Sequence, residues 1–490
     1  MTSVSVLIVG AGFAGIGMAR TLLRAGITDI VVLERAASVG GTWRDNVYPG
    51  VACDVPTPLY SYSFAPNPEW TRLYAPQWEL RRYLEACTDH FGVRPLIRFG
   101  VDVQSADFDE PSGRWTVHTS AGVYTCQALI SASGHALSRP VLPDIDGMGS
   151  FRGPTMHSAR WDAAIPLNAR RIGLIGTGAS AVQIAPELAK VARELRVFQR
   201  TPAWVLPRIE ASFGPRARAV FRRAPIVQKL LRGAIYGVLE ALATGHVVEP
   251  RLHALVTERI SWWHMKRQVA DPALRERLRP SFRLGCKRML ISNDYLPTLC
   301  RPNVTLVTSP ITRITTDGVE TADGVHHDLD VLIFATGYEA ADAGPPFAIT
   351  GRAGVRLADA WAGGPEAYLG TAIAGFPNLF MVVGPNTGQG HTSMVYMMES
   401  QFPYIAAAIT ALRRKRLAWL DVRPDIQARY NRWLQARLKR TVWNRGGCQS
   451  WYLSRSGKNT TTWPGYTFEF RARLRRFRLA DFHASALEKR

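Results

Sequence analysis

The chain has 490 residues, 47% of them hydrophobic and 10% aromatic, which excludes a disordered or low-complexity protein and fits a packed enzyme of more than one domain. Sixty Lys and Arg against 39 Asp and Glu give a formal charge of +21, a balance that suits nucleotides, nucleic acid or an anionic membrane face. The six cysteines (Cys53, Cys87, Cys126, Cys286, Cys300 and Cys448) are scattered with no CxxC pair, so reduced thiols are expected, with neither structural zinc nor a disulfide framework.

The N-terminal run "MTSVSVLIVGAGFAG" enters a strand directly, without a basic leader or cleavage site, which predicts a cytoplasmic protein. Gly10, Gly12 and Gly15 follow that strand and precede a helix expected from about Ile16 to Ala25. Glycines at these places permit a tight turn, close approach of backbone to a pyrophosphate, and close helix-to-strand packing. A second strand, "DIVVLER", ends in Glu34, where a carboxylate can accept hydrogen bonds from a ribose diol. The turn at Gly134 in "ALISASGH" closes this first unit.

"SFRGPTMHSARWD", Ser150 to Asp162, joins this unit to the next and carries Phe151, Gly153, His157 and Trp161 where polar filler would serve a spacer. On residue chemistry alone it is a hinge held by packing, with His157 a satisfied core histidine. The glycine pattern then recurs as Gly176, Gly178 and Ala181, with Ser180 in the turn, a helix from about Val182 to Ala192 and a strand ending near Arg200. Glu34 lies 24 residues after Gly10 and Arg200 lies 24 after Gly176, so the two sites compare position by position. Where the first has a carboxylate, the second has a guanidinium with Thr201 beside it, a pair that attracts the 2′-phosphate of NADP. The first site therefore suits FAD and the second NADPH.

Ile226 to Val248 is the most membrane-like stretch, but Lys229, Arg232 and Glu240 interrupt it, so it is expected to be an amphipathic helix packed in a lobe or lying at an interface. Gly337 in "DVLIFATGY" marks the return to the first lobe, and "GPNTGQGHTS", with Asn386, precedes a helix starting near Thr392 or Ser393 whose N-terminus can face a flavin. From residue 431 onward 14 Lys and Arg stand against Glu469, Asp481 and Glu488. That run is a solvated helical face or a contact for an acidic surface, including peripheral membrane contact; no nucleic-acid motif accompanies it. No metal-ligand spacing occurs. Together these features predict an α/β fold of two dinucleotide-binding, Rossmann-like domains with parallel sheets and an inserted helical lobe.

Phe151, Gly153, His157, Trp161 and Asp162 resemble the FxGxxxHxxxW(P/D) fingerprint of type I Baeyer–Villiger monooxygenases, class B flavin-dependent enzymes. The resemblance runs through "GGTWRDNVYPGVACDVP", "FQRTPAW", "GCKRML", "FPNLFMVVGPNTGQGHTS" and "GGCQSWYLSRSGKNTTTWPG". It implies FAD-binding segments at 1–140 and 339–490, and an NADP-binding domain at 141–338 with a helical insertion at about 207–281. It implies NADPH- and O2-dependent insertion of oxygen beside a ketone carbonyl, through a C4a-peroxyflavin, to give an ester or lactone. Arg288 matches the family's active-site arginine and Asp54 its acidic partner, while Lys287 is turned toward the NADP phosphate. Trp43 is placed against the flavin, Trp451 against NADP, and His157 couples cofactor position to lobe movement without proton transfer. The alternative is a flavin-containing monooxygenase acting on nitrogen or sulfur, against which Trp161 and the Lys287–Arg288 pair argue. A disulfide reductase lacks its redox cysteine pair, and a basic binding protein that merely keeps the fold is disfavoured by two intact fingerprints.

Overall fold

The computed structural model describes residues 1–134, 139–249, 251, 253–342 and 344–486. Two sheets organise the chain. In the first, Thr2–Val9 lies centrally and pairs in parallel with Gly122–Ser131 on one side and Ile30–Glu34 on the other, setting Val6 opposite Ala128 and Ile30. Ile97–Phe99 extends one edge, and Leu379–Met381 joins Gly122–Ser131 from late in the chain. Ile30–Glu34 is buried at every position, as a strand covered on both faces must be.

This first sheet is mixed where only parallel pairing was expected. Val103–Asp109, Arg114–Thr119 and Gly122–Ser131 run antiparallel, because the short turns between them cannot span the crossover that parallel neighbours need. The second sheet has five strands, all parallel, in the order Val304–Val307, Glu194–Phe198, Arg171–Ile175, Val331–Phe334, Thr155–His157. Its strands lie between residues 155 and 334, inside the segment that interrupts the first sheet. Separate apolar cores form on the two sheets, one around Ile8, Ile16 and Val32, the other around Leu174, Ile184 and Ile333.

Each glycine turn is followed by its helix, Phe13–Arg24 and Ala179–Val191. Both begin three residues ahead of expectation, because the glycine turn itself supplies the first helical turn. A Cβ on Gly15 would sit 1.8 Å from the Gly10 carbonyl oxygen, so only glycine lets the helix start this close to its strand.

The two chain passages between lobes pair with each other. Val141 N–H donates to Gly337 O at 2.9 Å and Glu339 N–H to Arg139 O at 2.9 Å, forming a short two-stranded ribbon. The helical insertion comprises Pro215–Arg223, Pro225–Val247, Glu258–Gln268 and Pro272–Arg277. Among the described residues no helix is long and apolar enough to cross a membrane. The basic C-terminal run is folded in: Phe482–Ala486 pairs antiparallel with Leu417–Val422, and Arg471 and Arg473 lie over the rings of Tyr396 and Trp433 at 3.6 and 3.9 Å. Glu488, Lys489 and Arg490 lie outside the described residues.

Candidate functional site

The two lobes meet directly, Arg288 pairing with Asp54 and Gln183 with Tyr48 and Ala52. In the first lobe Gly10 has φ +107°, and a Cβ there would meet the Ala132 carbonyl oxygen at 2.6 Å, in the turn that leads to Gly134. Gly12 faces Gly41, whose Cα would lie 3.6 Å from an added Cβ, leaving the floor of this turn as bare backbone. Glu34 Oε2 accepts from Ala11 N–H at 2.9 Å; Oε1 accepts from Ala36 N–H at 3.0 Å and from Arg44 at 2.9 Å. The carboxylate is thus fixed at the strand end with acceptor capacity left on Oε2 for a diol. Trp43, buried next to Arg44 in the chain, donates through Nε1 to the Tyr60 hydroxyl at 3.3 Å. A dinucleotide with an adenosine ribose fits this cradle.

The second turn repeats the design. Gly176 has φ +118°, and a Cβ would meet Ala335 O at 2.4 Å; Gly178 and Gly337 face open space. Thr177 Oγ1 donates to Thr201 O at 2.9 Å, tying the turn to the segment after Arg200. The Lys287 ammonium is pushed below the usual lysine range by burial and by the nearby Arg200, while its Nζ lies 5.1 Å over the Phe282 ring. Arg200 and Lys287, from distant segments, thus lie near enough to act on each other's charge, a pairing of cations that suits an anion.

Arg288 and Asp54 form a bidentate pair across the lobes, with Nε to Oδ2 at 2.6 Å and Nη2 to Oδ1 at 2.7 Å. The Asp54 charge raises the guanidinium well above its ordinary value despite desolvation, so Arg288 stays cationic at any working pH. Tyr452 lies near enough to couple to this pair, and burial pushes its phenol up to about 12. Beside Asp54, the Cys53 thiol is raised by burial and by the Asp54 charge, which makes it inert.

Cys286 and Cys448 are joined by a disulfide, which corrects the expectation of reduced thiols throughout. The pair is separated by 162 residues, and nothing in local spacing announces it. Its setting is a small core of Trp204, Phe282 and Leu284, where a Cβ on Gly446 would meet Cys286 Cβ at 2.5 Å and Arg283 N–H reaches Gly446 O at 2.9 Å. The cross-link therefore clamps the segment of Lys287 and Arg288 against the segment of Trp451, whose ring packs at a tilt against Tyr452 with centroids 4.8 Å apart.

In the linker, His157 ends Thr155–His157 opposite Phe334. Its Nδ1 accepts from Ala159 N–H at 3.0 Å, so the proton sits on Nε2, which is buried without a partner. Burial, then Arg160, lowers its pKa and keeps the ring neutral. The ring lies edge-on to Tyr338, centroids 6.1 Å apart, and Tyr338 donates to Asn46 Oδ1 at 3.0 Å. Trp161 packs against the core of the second lobe, and Asp162 caps Ala164 N–H at 2.9 Å. Asn386, at φ +56°, donates to Asn459 O and Thr462 O at 2.9 and 3.1 Å and leaves a buried Oδ1 unpartnered. The helix after it is Met394–Arg414, with Ser393 Oγ accepting from Val395 N–H at 3.2 Å.

Gln183 was not apparent in the sequence. It projects from the helix after the second glycine turn, accepts from the Tyr48 hydroxyl at 3.2 Å and donates to Ala52 O at 3.0 Å. Ser180 also lies against Tyr48, and a Cβ on Gly50 would strike Gln183 O at 2.6 Å. This contact welds the second glycine turn to the loop that carries Asp54, and its only advance signal is a glutamine on the inner face of that helix.

Comparison with known proteins gives a consistent result. The family model described as flavin-binding monooxygenase-like matches residues 3–344. A Baeyer-Villiger monooxygenase of Pseudomonas aeruginosa is 44% identical over 480 residues, covering 98% of this chain and 91% of its own. One of Streptomyces coelicolor is 46% identical, covering 98% and 92%. A crystal structure of OTEMO in complex with FAD and NADP superposes with a TM-score of 0.88 at 29% identity, covering 98% and 99%.

Proposed function

Because the chain belongs to the flavin-binding monooxygenase-like family, we propose that it is an NADPH- and O2-dependent Baeyer–Villiger monooxygenase that converts a ketone to an ester or lactone. The observation that carries this reading is the bidentate Arg288–Asp54 pair, which joins the segment after Glu34 to the segment after the helical insertion. Bound FAD supplies acceptance of hydride from NADPH and activation of O2. The protein's part is to hold both cofactors, exclude water and place one fixed cation.

In this reading residues 1–140 and 339–490 form the FAD domain, and 141–338, with its helical insertion, form the NADP domain. Gly10, Gly12, Gly15 and Gly134 bring backbone against the FAD pyrophosphate and Glu34 takes the ribose diol, with Trp43 and Asn386 near the ring. Gly176, Gly178, Ser180 and Gly337 receive NADPH, Arg200, Thr201 and Lys287 hold its 2′-phosphate, and Trp451 covers it. His157, neutral and with Nε2–H free, is a positioning donor at the hinge. Arg288 holds negative charge on the attacking oxygen and then on the former carbonyl oxygen of the substrate, and Asp54 keeps its guanidinium oriented through both steps.

Incubation of the flavin-loaded protein with NADPH and linear, cyclic and steroidal ketones is expected to yield esters or lactones detectable by mass spectrometry. Oxidation of sulfides or amines with no ester from any ketone overturns the reading.

A further inference from the structure

The helix Pro225–Val247 carries its polarity inside out. Of its exposed positions between Ile226 and Leu242, only Lys229 is polar. Ile226, Leu230 and Val238 are 59%, 66% and 63% exposed, and with Val227 and Leu242 they give the helix an apolar outer stripe. The polar side chains point inward instead. Gln228 donates to Asn67 O at 2.7 Å, Arg232 donates to Pro58 O at 2.7 Å and Ser61 O at 2.9 Å, and Glu240 accepts from Thr467 N–H at 3.2 Å. These anchors come from both flanking segments of the first lobe, so rotating the helix to hide its stripe would strand an arginine, a glutamate and a glutamine without partners.

An apolar stripe held outward at this cost needs a partner that is itself apolar. The charges around it decide which. Lys229 sits within the stripe, and the preceding helix, Pro215–Arg223, ends in exposed Arg223 and in Arg222, which is exposed and paired at 3.4 Å with Glu69. A second copy would bring these cations against their equivalents on a chain already carrying +21, whereas an anionic lipid surface neutralises them.

We infer that the outer face of Pro225–Val247 is an interfacial membrane contact: the helix lies in the plane of an anionic bilayer, its stripe among acyl chains and its basic N-terminal end among headgroups. The stripe from Ile226 to Leu242 gives a contact about 25 Å long. This rests on the orientation of one helix and is independent of the catalytic roles proposed above.

The test is co-sedimentation of the full-length, flavin-loaded protein with vesicles of phosphatidylcholine alone and of phosphatidylcholine mixed with phosphatidylglycerol, for the parent and for Leu230→Glu/Val238→Glu. Both substituted side chains are exposed, so flavin content and unfolding temperature report that the variant is folded. The parent is expected to bind the anionic vesicles, more weakly as salt rises, and the variant to bind at least about tenfold less. Failure of the folded parent to bind, or equal binding by the variant, overturns the inference. So does a parent that is dimeric without lipid and made monomeric by the substitutions, which would assign the face to a second copy.

Discussion

Arg288→Ala separates the first half of the proposed reaction from the second. The substitution removes two charge-assisted hydrogen bonds, at 2.6 and 2.7 Å, and leaves Asp54 without its cation. Both side chains are about two thirds buried (31% and 28% exposed), so leaving Asp54 without its cation is expected to cost about 1 to 3 kcal/mol, and flavin content and unfolding temperature report that the variant keeps its fold. The functional cost is larger, because a preorganised cation beside developing negative charge is worth about 3 to 4 kcal/mol, or roughly 100- to 1000-fold in rate. In the proposed assignment, hydride transfer from NADPH depends on Arg200, Thr201 and Lys287 and not on this pair. Anaerobic stopped-flow absorbance is therefore expected to show flavin reduction within about threefold of the parent, while NADPH consumed in air appears as hydrogen peroxide with little ester. Arg288→Lys keeps the charge without the bidentate grip and falls between the two. Ketone oxygenation by Arg288→Ala within about threefold of the parent would refute the role given to this cation.

Arg200→Ala is expected to lose about 1 to 3 kcal/mol of preference for NADPH over NADH, read from the two kcat/KM values; an unchanged ratio rejects the phosphate assignment. Reduction of Cys286–Cys448 by a phosphine opens a closure of 162 residues and is expected to lower stability by up to about 5 kcal/mol, with NADPH KM rising as the Trp451 segment loosens; both are read from the same reduced sample. Gln183→Ala, which cuts the link to Tyr48 and Ala52, should raise peroxide release several-fold while flavin content holds. His253 is lowered to about 4 by burial and then by His391, and the buried His246 against it is lowered too. For such groups the unfolded chain binds the extra protons, so stability is complete above about pH 6.5 and falls as pH drops toward 4, by on the order of 3 kcal/mol for His253 alone. Urea titrations across that window check the sign.

Local chemistry made the two glycine turns legible in advance, since Gly10 and Gly176 occupy backbone that an L side chain cannot enter without striking a carbonyl. The charge contrast between Glu34 and Arg200 was equally available, because register within a repeated unit is a sequence property. Contacts that join distant segments were not. Gln183 meets Tyr48 across 135 residues and Cys286 meets Cys448 across 162, and no periodicity encodes either meeting. The helix Pro225–Val247 is instructive in another way. Its pattern announces two unlike faces, but which one turns inward is decided by acceptors at Asn67, Pro58 and Ser61.

The paired passages at Arg139–Val141 and Gly337–Glu339 make the second lobe a loop closed at its own neck. An inserted unit whose entry and exit are hydrogen-bonded to each other leaves its host's chain through a single neck, and further ties, from Arg288–Asp54 and Gln183–Tyr48 to the Cys286–Cys448 cross-link and the anchors of Pro225–Val247, join it to the host elsewhere. Two cuts through that neck should allow the lobe to be exchanged for a relative's, carrying nucleotide preference with it, provided its partners at Tyr48 to Asn67, Cys448 and Thr467 travel in the same exchange.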